Sequence, residues 1–350
     1  MRNYFFSAAL LLFYPFIAKA APLDPTGVPA AASGIIHFDL DAAAKSPFFE
    51  EIQKSLLRNL PQIETLKTEF GVSSDGGISS ITIALIPSSG TEHKTTGDPP
   101  RHFRFSPHGI ILLRGEFAAS KIMAGAIKKD VRLEIIHGHA FLDASSLAFS
   151  KSVKKIVIGA LDNNTLLIAD TDVIKSVIQA FADKNKSRPL PKNLLELTQQ
   201  KKTPIVSGYL EKNLFYSPPK TGVNQSQPNS IFFHMSDNGQ NVDAYISMEF
   251  PTPIDARKAR ADFQKVILFH LSGLPNGQNA DNNPPPEKSV LQGLRTKLLD
   301  AIEFPSTGSI FDVKVAFPTA DSLVFLKAAT ANPQKKQTPP TKTNPPSNNK

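Results

Sequence analysis

Short stretches of alternating apolar and polar residues, joined by tight turns, constrain the fold of this chain most strongly. Residues 78–86 (ISSITIALI) follow the two-residue period of a half-buried strand. Further apolar stretches flank residues 162–164 (DNN) and 237–239 (DNG), and turn sequences of this kind favour β-hairpins. Because strands joined by hairpins are antiparallel, the sequence argues against a doubly wound parallel sheet.

Stretches with apolar residues at helical spacing alternate with the strands. The main helices are predicted over residues 47–60, 118–129, 171–183, 254–271 and 287–302. Ser46 and Pro47 illustrate the start of such a helix, since they match the residue types preferred at the N-cap and at the first helical position. The predicted fold class is therefore α+β, with mostly antiparallel sheets covered by helices.

The order of these elements indicates two tandem halves. We predict a first α+β half over residues 34–183, a linker over residues 184–203 and a second α+β half over residues 204–330. Each half contains a strand that ends in Glu-Phe directly before a helix, at Glu116 and at Glu249. Either an internal duplication or the chance recurrence of strand and helix patterns explains this similarity.

Both halves are also predicted to close with a hairpin. In the first half it covers residues 156–169 (IVIGALDNNTLLIA), and in the second half residues 313–326 (VKVAFPTADSLVFL). The predicted second hairpin turns at residues 318–321 and returns over residues 323–327. This equivalence is part of the case for duplication.

The two ends of the chain have compositions of their own. Residues 1–20 combine a positive start, an apolar run and an Ala18-Lys19-Ala20 step, which is the pattern of a Sec-type signal peptide cleaved after Ala20 or Ala21. Residues 21–33 are predicted to form a flexible lead-in. Residues 331–350 consist mainly of Pro, Lys, Asn and Thr, and we expect this tail to be disordered. The expected location is secreted or periplasmic.

Composition excludes several classes of function. The chain has no cysteine, which removes disulfide frameworks, thiolate metal sites and cysteine nucleophiles. Of the net charge of +8, two charges belong to the leader and four to the tail, which leaves +2 over residues 21–330. The basic character is thus concentrated in the tail, so we expect no nucleic-acid partner. No apolar run after the leader reaches the length of a membrane span.

One group of residues suggests metal chemistry. In the predicted strand over residues 34–40, His37, Asp39 and Asp41 alternate and would share one face. His137 and His139 repeat this spacing on a second predicted strand. Imidazole and carboxylate groups bind divalent metals, so neighbouring strands would form a metal site. The simpler interpretation is a polar, solvent-facing strand surface, with Asp41 in a loop or at a helix cap.

Motifs for other chemistry are absent. The sequence has no G-x-S-x-G nucleophile elbow and neither of the glycine-rich phosphate-binding motifs. We therefore assign no catalytic, cofactor-binding or metal-binding residue and no cofactor.

The leading hypothesis is an exported, non-enzymatic envelope or secreted protein that binds a ligand or partner. The alternative is a metal-dependent hydrolase that uses His37, Asp39, His137 and His139. A third hypothesis attaches the tail to an anionic surface of the envelope.

Overall fold

A computed structural model describes residues 23–51, 78–87, 108–115, 124, 132–144, 155–198, 204–214, 227–273 and 286–324. Several predicted features lie outside these residues: the signal peptide, the tail over residues 331–350, the helix over residues 118–129, Glu116 and most of the first predicted helix.

The described strands are numbered in chain order. They are β1 Gly34–Asp39, β2 Ile78–Ile86, β3 His108–Gly115, β4 Leu133–Ile136, β5 His139–Asp143, β6 Ile156–Asp162, β7 Thr165–Asp170, β8 Val206–Glu211, β9 Ser230–Asp237, β10 Asn241–Glu249, β11 Ile302–Glu303, β12 Ser306–Thr307 and β13 Ile310–Pro318. The described helices are α1 Leu40–Ala43, α2 Ile174–Ala182, α3 Lys192–Thr198, α4 Pro253–Gly273 and α5 Pro286–Asp300, and residues 47–51 and 319–324 are also helical.

All described strands belong to a single antiparallel sheet. The strand order is β11-β13-β10-β9-β8-β1-β2-β3-β7-β6-β5-β4, and β12 also pairs with β13. The predicted hairpins β6–β7 and β9–β10 are confirmed. An antiparallel sheet accompanied by several helices confirms the coarse prediction of an α+β fold.

The two predicted halves share this sheet. Strand β1 pairs with β2 on one side and with β8, the first strand of the second half, on the other. Backbone hydrogen bonding thus runs without a break from one half into the other, and the structure does not confirm a tandem duplication.

The predicted second closing hairpin is wrong. Strand β13 runs on to Pro318, and residues 319–324 are helical. The partners of β13 are β10, β11 and β12. A short apolar stretch such as residues 323–326 cannot distinguish a strand from a helix by its pattern alone, which explains the error.

The sheet carries apolar clusters on both faces. One face holds Ile36 and Phe38 of β1 in a cluster with α1, and further along the same face Phe311 and Val313 of β13 pack with Phe263 of α4. The opposite face holds a cluster that includes residues of β1, β3, β7, α2 and α3. Every residue of β1 is therefore buried.

The segments predicted as lead-in and linker pack against each other. Val28 is fully buried in the cluster beneath α2 and α3. Pro29 forms a β-bridge with Ser187, and the Arg188 amide donates to the Val28 carbonyl at 2.8 Å. Within α3, Leu194 is 1 % exposed. Residues 28–30 of the predicted lead-in thus hydrogen-bond to residues 186–188 of the predicted linker, which is distant in the sequence.

Candidate functional site

His37 lies in the interior of the sheet. The side chain is buried, and its Nδ1 lies 3.1 Å from the Thr82 hydroxyl on the neighbouring strand β2. On the other side its cross-strand neighbour is Ser207 of β8. The strand pattern correctly placed His37 opposite the Ile36 and Phe38 face, but that face is not solvent-exposed, because the apolar cluster that includes Ile35, α2 and α3 packs on it.

Asp39 caps the helix that follows β1. Its carboxylate accepts a hydrogen bond from the Ala42 amide at 2.8 Å, and the residue is fully buried. A carboxylate at this position satisfies an amide at the start of the helix, where intrahelical acceptors are lacking. Asp39 is thus the helix cap, a role that the sequence analysis offered for Asp41.

Asp41 lies in the first turn of α1 and not on the strand. Its side chain is 1 % exposed, and neither carboxylate oxygen has a hydrogen-bond partner among the described residues. Burial raises the pKa of Asp41 to about 6, with a further contribution from the charge of Asp39 and an opposing one from Lys45. The predicted common face of His37, Asp39 and Asp41 is therefore wrong for Asp41, because the strand ends at Asp39.

His137 and His139 lie near one edge of the sheet, at the turn between β4 and β5. His137 has φ 49° and Gly138 has φ 82°, so these residues form the two-residue turn between β4 and β5. This geometry matches a type I′ hairpin turn, which needs positive φ at both central residues. The sequence predicted His137 at the end of a strand and did not predict β5.

The strand order keeps these histidines away from His37. Strands β2, β3, β7 and β6 lie between β1 and β5, which amounts to about 24 Å along the sheet at about 4.8 Å per strand. A metal ion is bound by ligands about 2 Å away from it. Within the described ranges no group of three or more His, Asp and Glu side chains is placed to hold a metal ion.

A cluster of rings lies on β9 and β10, on the same face of the sheet as His37. Phe232, His234 and Tyr245 contact one another, with ring centroids 5.8 Å apart for Phe232 and His234, 6.0 Å for Phe232 and Tyr245, and 5.3 Å for His234 and Tyr245. Tyr209 stands directly opposite Phe232 across β8 and β9. We refer to Tyr209, Phe232, His234 and Tyr245 as the aromatic patch.

The β9–β10 hairpin explains this placement. His234 and Tyr245 are directly opposed across the two strands, and Phe232 is two residues from His234, so all three side chains emerge on the same face. This face is opposite to the one on which α4 packs. Phe232 is buried at the margin of the cluster under α2 and α3, whereas His234, Tyr209 and Tyr245 are half-buried.

Partial burial sets the charge state of the patch. Burial lowers the pKa of His234, against a smaller opposing effect of Asp243. Burial also raises the pKa of Tyr245. A hydrogen bond with Ser247 opposes this shift, whereas the charge of Asp312 and a hydrogen bond with Asp312 add to it. At neutral pH the patch therefore presents an uncharged imidazole and an uncharged phenol.

Two cations border the patch. The Lys314 ammonium lies 5.8 Å from the centroid of the Tyr245 ring, and the Arg188 guanidinium lies 5.8 Å from that of Tyr209. Arg188 is also paired with Glu211. Such distances allow a cation–π attraction. The patch thus combines ring faces, neutral hydrogen-bonding groups and flanking charges.

Sequence reasoning missed the aromatic patch. Taking residues 237–239 as the hairpin turn pairs His234 with Val242 and places Tyr245 on the opposite face, whereas the structure pairs Asp237 with Val242 and His234 with Tyr245. The pairing of β8 with β9 could not be inferred in this way, because residues 212–229 separate the two strands.

Comparisons with known proteins give little further information. No protein-family model and no curated protein matches the sequence. Among solved structures, crystal form I of TP0453 has 11 % identity and a TM-score of 0.45, covering 89 % of this chain and 98 % of that one. Crystal form III has 10 % identity and a TM-score of 0.48, covering 88 % and 98 %. These scores are too low to establish a common fold, and no property of TP0453 is transferred to this chain.

In the described part of the chain, no helix combines the length and the apolar character that spanning a bilayer requires.

Proposed function

We propose that this chain is an exported, non-enzymatic binding protein and that the aromatic patch is its ligand-binding surface. The observation that carries this proposal is the mutual contact of Phe232, His234 and Tyr245, two of them half-buried, on the face opposite α4. Export rests on residues 1–20, whose pattern is that of a Sec-type signal peptide.

The chemistry of the patch favours a ligand with a ring. The face of Tyr245 can stack on an aromatic ring or on the apolar face of a sugar, and such aromatic contacts contribute about 0.5–1.5 kcal/mol. His234 and Tyr245 are uncharged at neutral pH, so they can each exchange hydrogen bonds with neutral substituents of that ring. Arg188 is paired with Glu211, and Lys314 stands opposite Glu303 across β11 and β13. Both flanking cations thus have a carboxylate nearby, which argues against a strongly anionic ligand.

A binding role is also consistent with the positions of the predicted metal ligands. Asp39 caps α1, His37 contacts Thr82, and His137 forms a turn. Each of these residues therefore has a role in the fold, and His37 and His137 are separated by several strands of the sheet.

Saturation-transfer NMR tests this proposal directly. The protein is isolated from the envelope or the medium, where N-terminal sequencing should read from Ala21 or Pro22. It is then examined with N-acetylglucosamine, methyl β-glucoside, phenol and indole. We expect at least one compound to receive saturation, and Tyr245→Ala and His234→Ala to weaken that signal several-fold because each removes a ring from the patch.

Val266→Ala is the matched control, because it removes an exposed apolar side chain from α4, on the other face of the sheet. It should leave the signal unchanged. Absence of saturation transfer from all four compounds, or equal signals in the wild type and in Tyr245→Ala, would contradict a binding role for the patch.

A further inference from the structure

Among the described strands, β4 lies at one edge of the sheet. In the described part of the chain it pairs with β5 alone. The Asp143 amide donates to the Arg132 carbonyl at 3.0 Å, which fixes the alternation of hydrogen bonds along the two strands. Arg132, Glu134 and Ile136 therefore direct their backbone groups toward β5, and Leu133 and Ile135 direct theirs away from the sheet.

The same two residues have exposed side chains. Leu133 is 40 % exposed and Ile135 is 63 % exposed. Proteins usually protect the edge of a sheet with charged residues, proline or a bulge, because an unprotected edge pairs with other strands. At β4, outward-directed backbone groups and exposed apolar side chains coincide. The charged neighbours Arg132 and Glu134 have opposite signs, so they disfavour most strands but allow pairing with a strand of complementary charge.

The charges around Leu133 point to the occupant of this edge. We propose that β4 pairs antiparallel with β4 of a second copy of this chain, about a twofold axis at Leu133. In this register Leu133 lies opposite Leu133 of the second copy, and Arg132 of each copy lies opposite Glu134 of the other. The contact is self-complementary, as a twofold interface must be, and it contains two cross-strand pairs of opposite charge.

Neighbouring registers lack this complementarity. A shift that places Glu134 opposite Glu134 brings like charges together, and such pairs are destabilising. A shift that centres the axis on Ile135 places Glu134 opposite the apolar Ile136. Within its own chain Glu134 also pairs with Lys155, so its carboxylate would lie between two cations in the proposed dimer.

The proposed contact is small, so the dimer should be weak. Pairing through a strand of four residues buries much less surface than a stable complex of about 1,600 Å². We expect a dissociation constant on the order of 100 μM, which sedimentation equilibrium can measure.

The experiment uses the mature full-length chain and the charge-reversal variants Arg132→Glu and Glu134→Arg. Wild-type protein should dimerise at a concentration of about 500 μM. Each variant alone should stay monomeric, because every cross-strand pair then has like charges. An equimolar mixture of the two variants should form heterodimers, because opposite charges again face each other across the axis.

Restoration by mixing separates the proposed pairing from misfolding, since two unfolded variants would not rescue each other. Circular dichroism verifies that each variant is folded. Leu133→Lys is a further variant that should abolish self-association, because it places two ammonium groups on the axis. A monomeric wild type at about 500 μM, dimerisation of the single variants, or a monomeric mixture would each overturn the proposal.

Discussion

At the scale of single residues, Asp39 and Asp41 show how two similar side chains acquire different roles. Asp39 accepts a backbone hydrogen bond and closes the start of α1. Asp41 is two residues further on and is buried without a hydrogen-bond partner among the described residues. A buried carboxylate without a partner is costly in its charged form, so Asp41 is expected to destabilise the folded chain at neutral pH.

Asp41 should make the stability of the protein depend on pH. Its pKa is raised from 3.8 to about 6, so between these values the folded chain binds a proton that the unfolded chain does not. The penalty is absent below pH 3.8, grows as the pH rises through this window and is complete above about pH 6. The free energy of unfolding of Asp41→Asn, which cannot ionise, should exceed that of the wild type by about 2 kcal/mol more at pH 8 than at pH 4.

Urea unfolding at both pH values measures this difference. Asp300→Asn is a suitable control, because Asp300 is exposed at the end of α5. It removes an exposed carboxylate instead of a buried one, so at pH 8 it should stabilise the protein much less than Asp41→Asn does. The interpretation of Asp41 fails if the advantage of Asp41→Asn over the wild type is the same at both pH values.

At the scale of elements, the close packing of β8 against β9 depends on a glycine. A Cβ atom added at Gly208 would lie 2.3 Å from the Phe233 ring on the neighbouring strand. The ring therefore covers the position that a side chain at residue 208 would occupy. Gly293, in α5, has nothing within 4 Å of the corresponding position.

The same substitution should consequently have opposite effects at these two glycines. Gly208→Ala should destabilise the protein by about 1–3 kcal/mol, because Phe233 must leave its position. Gly293→Ala should stabilise it by up to about 1 kcal/mol, because alanine favours a helix over glycine. Thermal unfolding of both variants beside the wild type gives the comparison, and a neutral Gly208→Ala would show that Phe233 does not pack on β8 as described.

At the scale of the whole molecule, the sheet and one carboxylate connect distant parts of the chain. Strand β1 hydrogen-bonds to β2 and to β8. The Asp237 carboxylate accepts hydrogen bonds from the Ser46 hydroxyl at 2.6 Å and from the Thr319 hydroxyl at 2.8 Å. These contacts join the start of the first predicted half to the end of the second.

We therefore expect the two predicted halves to unfold together. After removal of residues 1–20, the remaining tyrosines are Tyr209, Tyr216 and Tyr245, all in the second half. Tyrosine fluorescence thus reports on the second half, while far-ultraviolet circular dichroism reports on the whole chain. The urea-unfolding transitions followed by these two signals should coincide. Two separate transitions would show that the halves are independent domains.

The sequence by itself determined the local elements of this protein. The alternation in residues 78–86, the hairpin turns at residues 162–164 and 237–239 and the apolar spacing of α4 and α5 are local patterns, and they predicted the antiparallel α+β class. Tertiary structure decided the rest. Whether His37 faces solvent depends on which elements pack over that face of β1, and whether His37 and His137 meet depends on the strand order. These are contacts between residues far apart in sequence, and no local pattern encodes them.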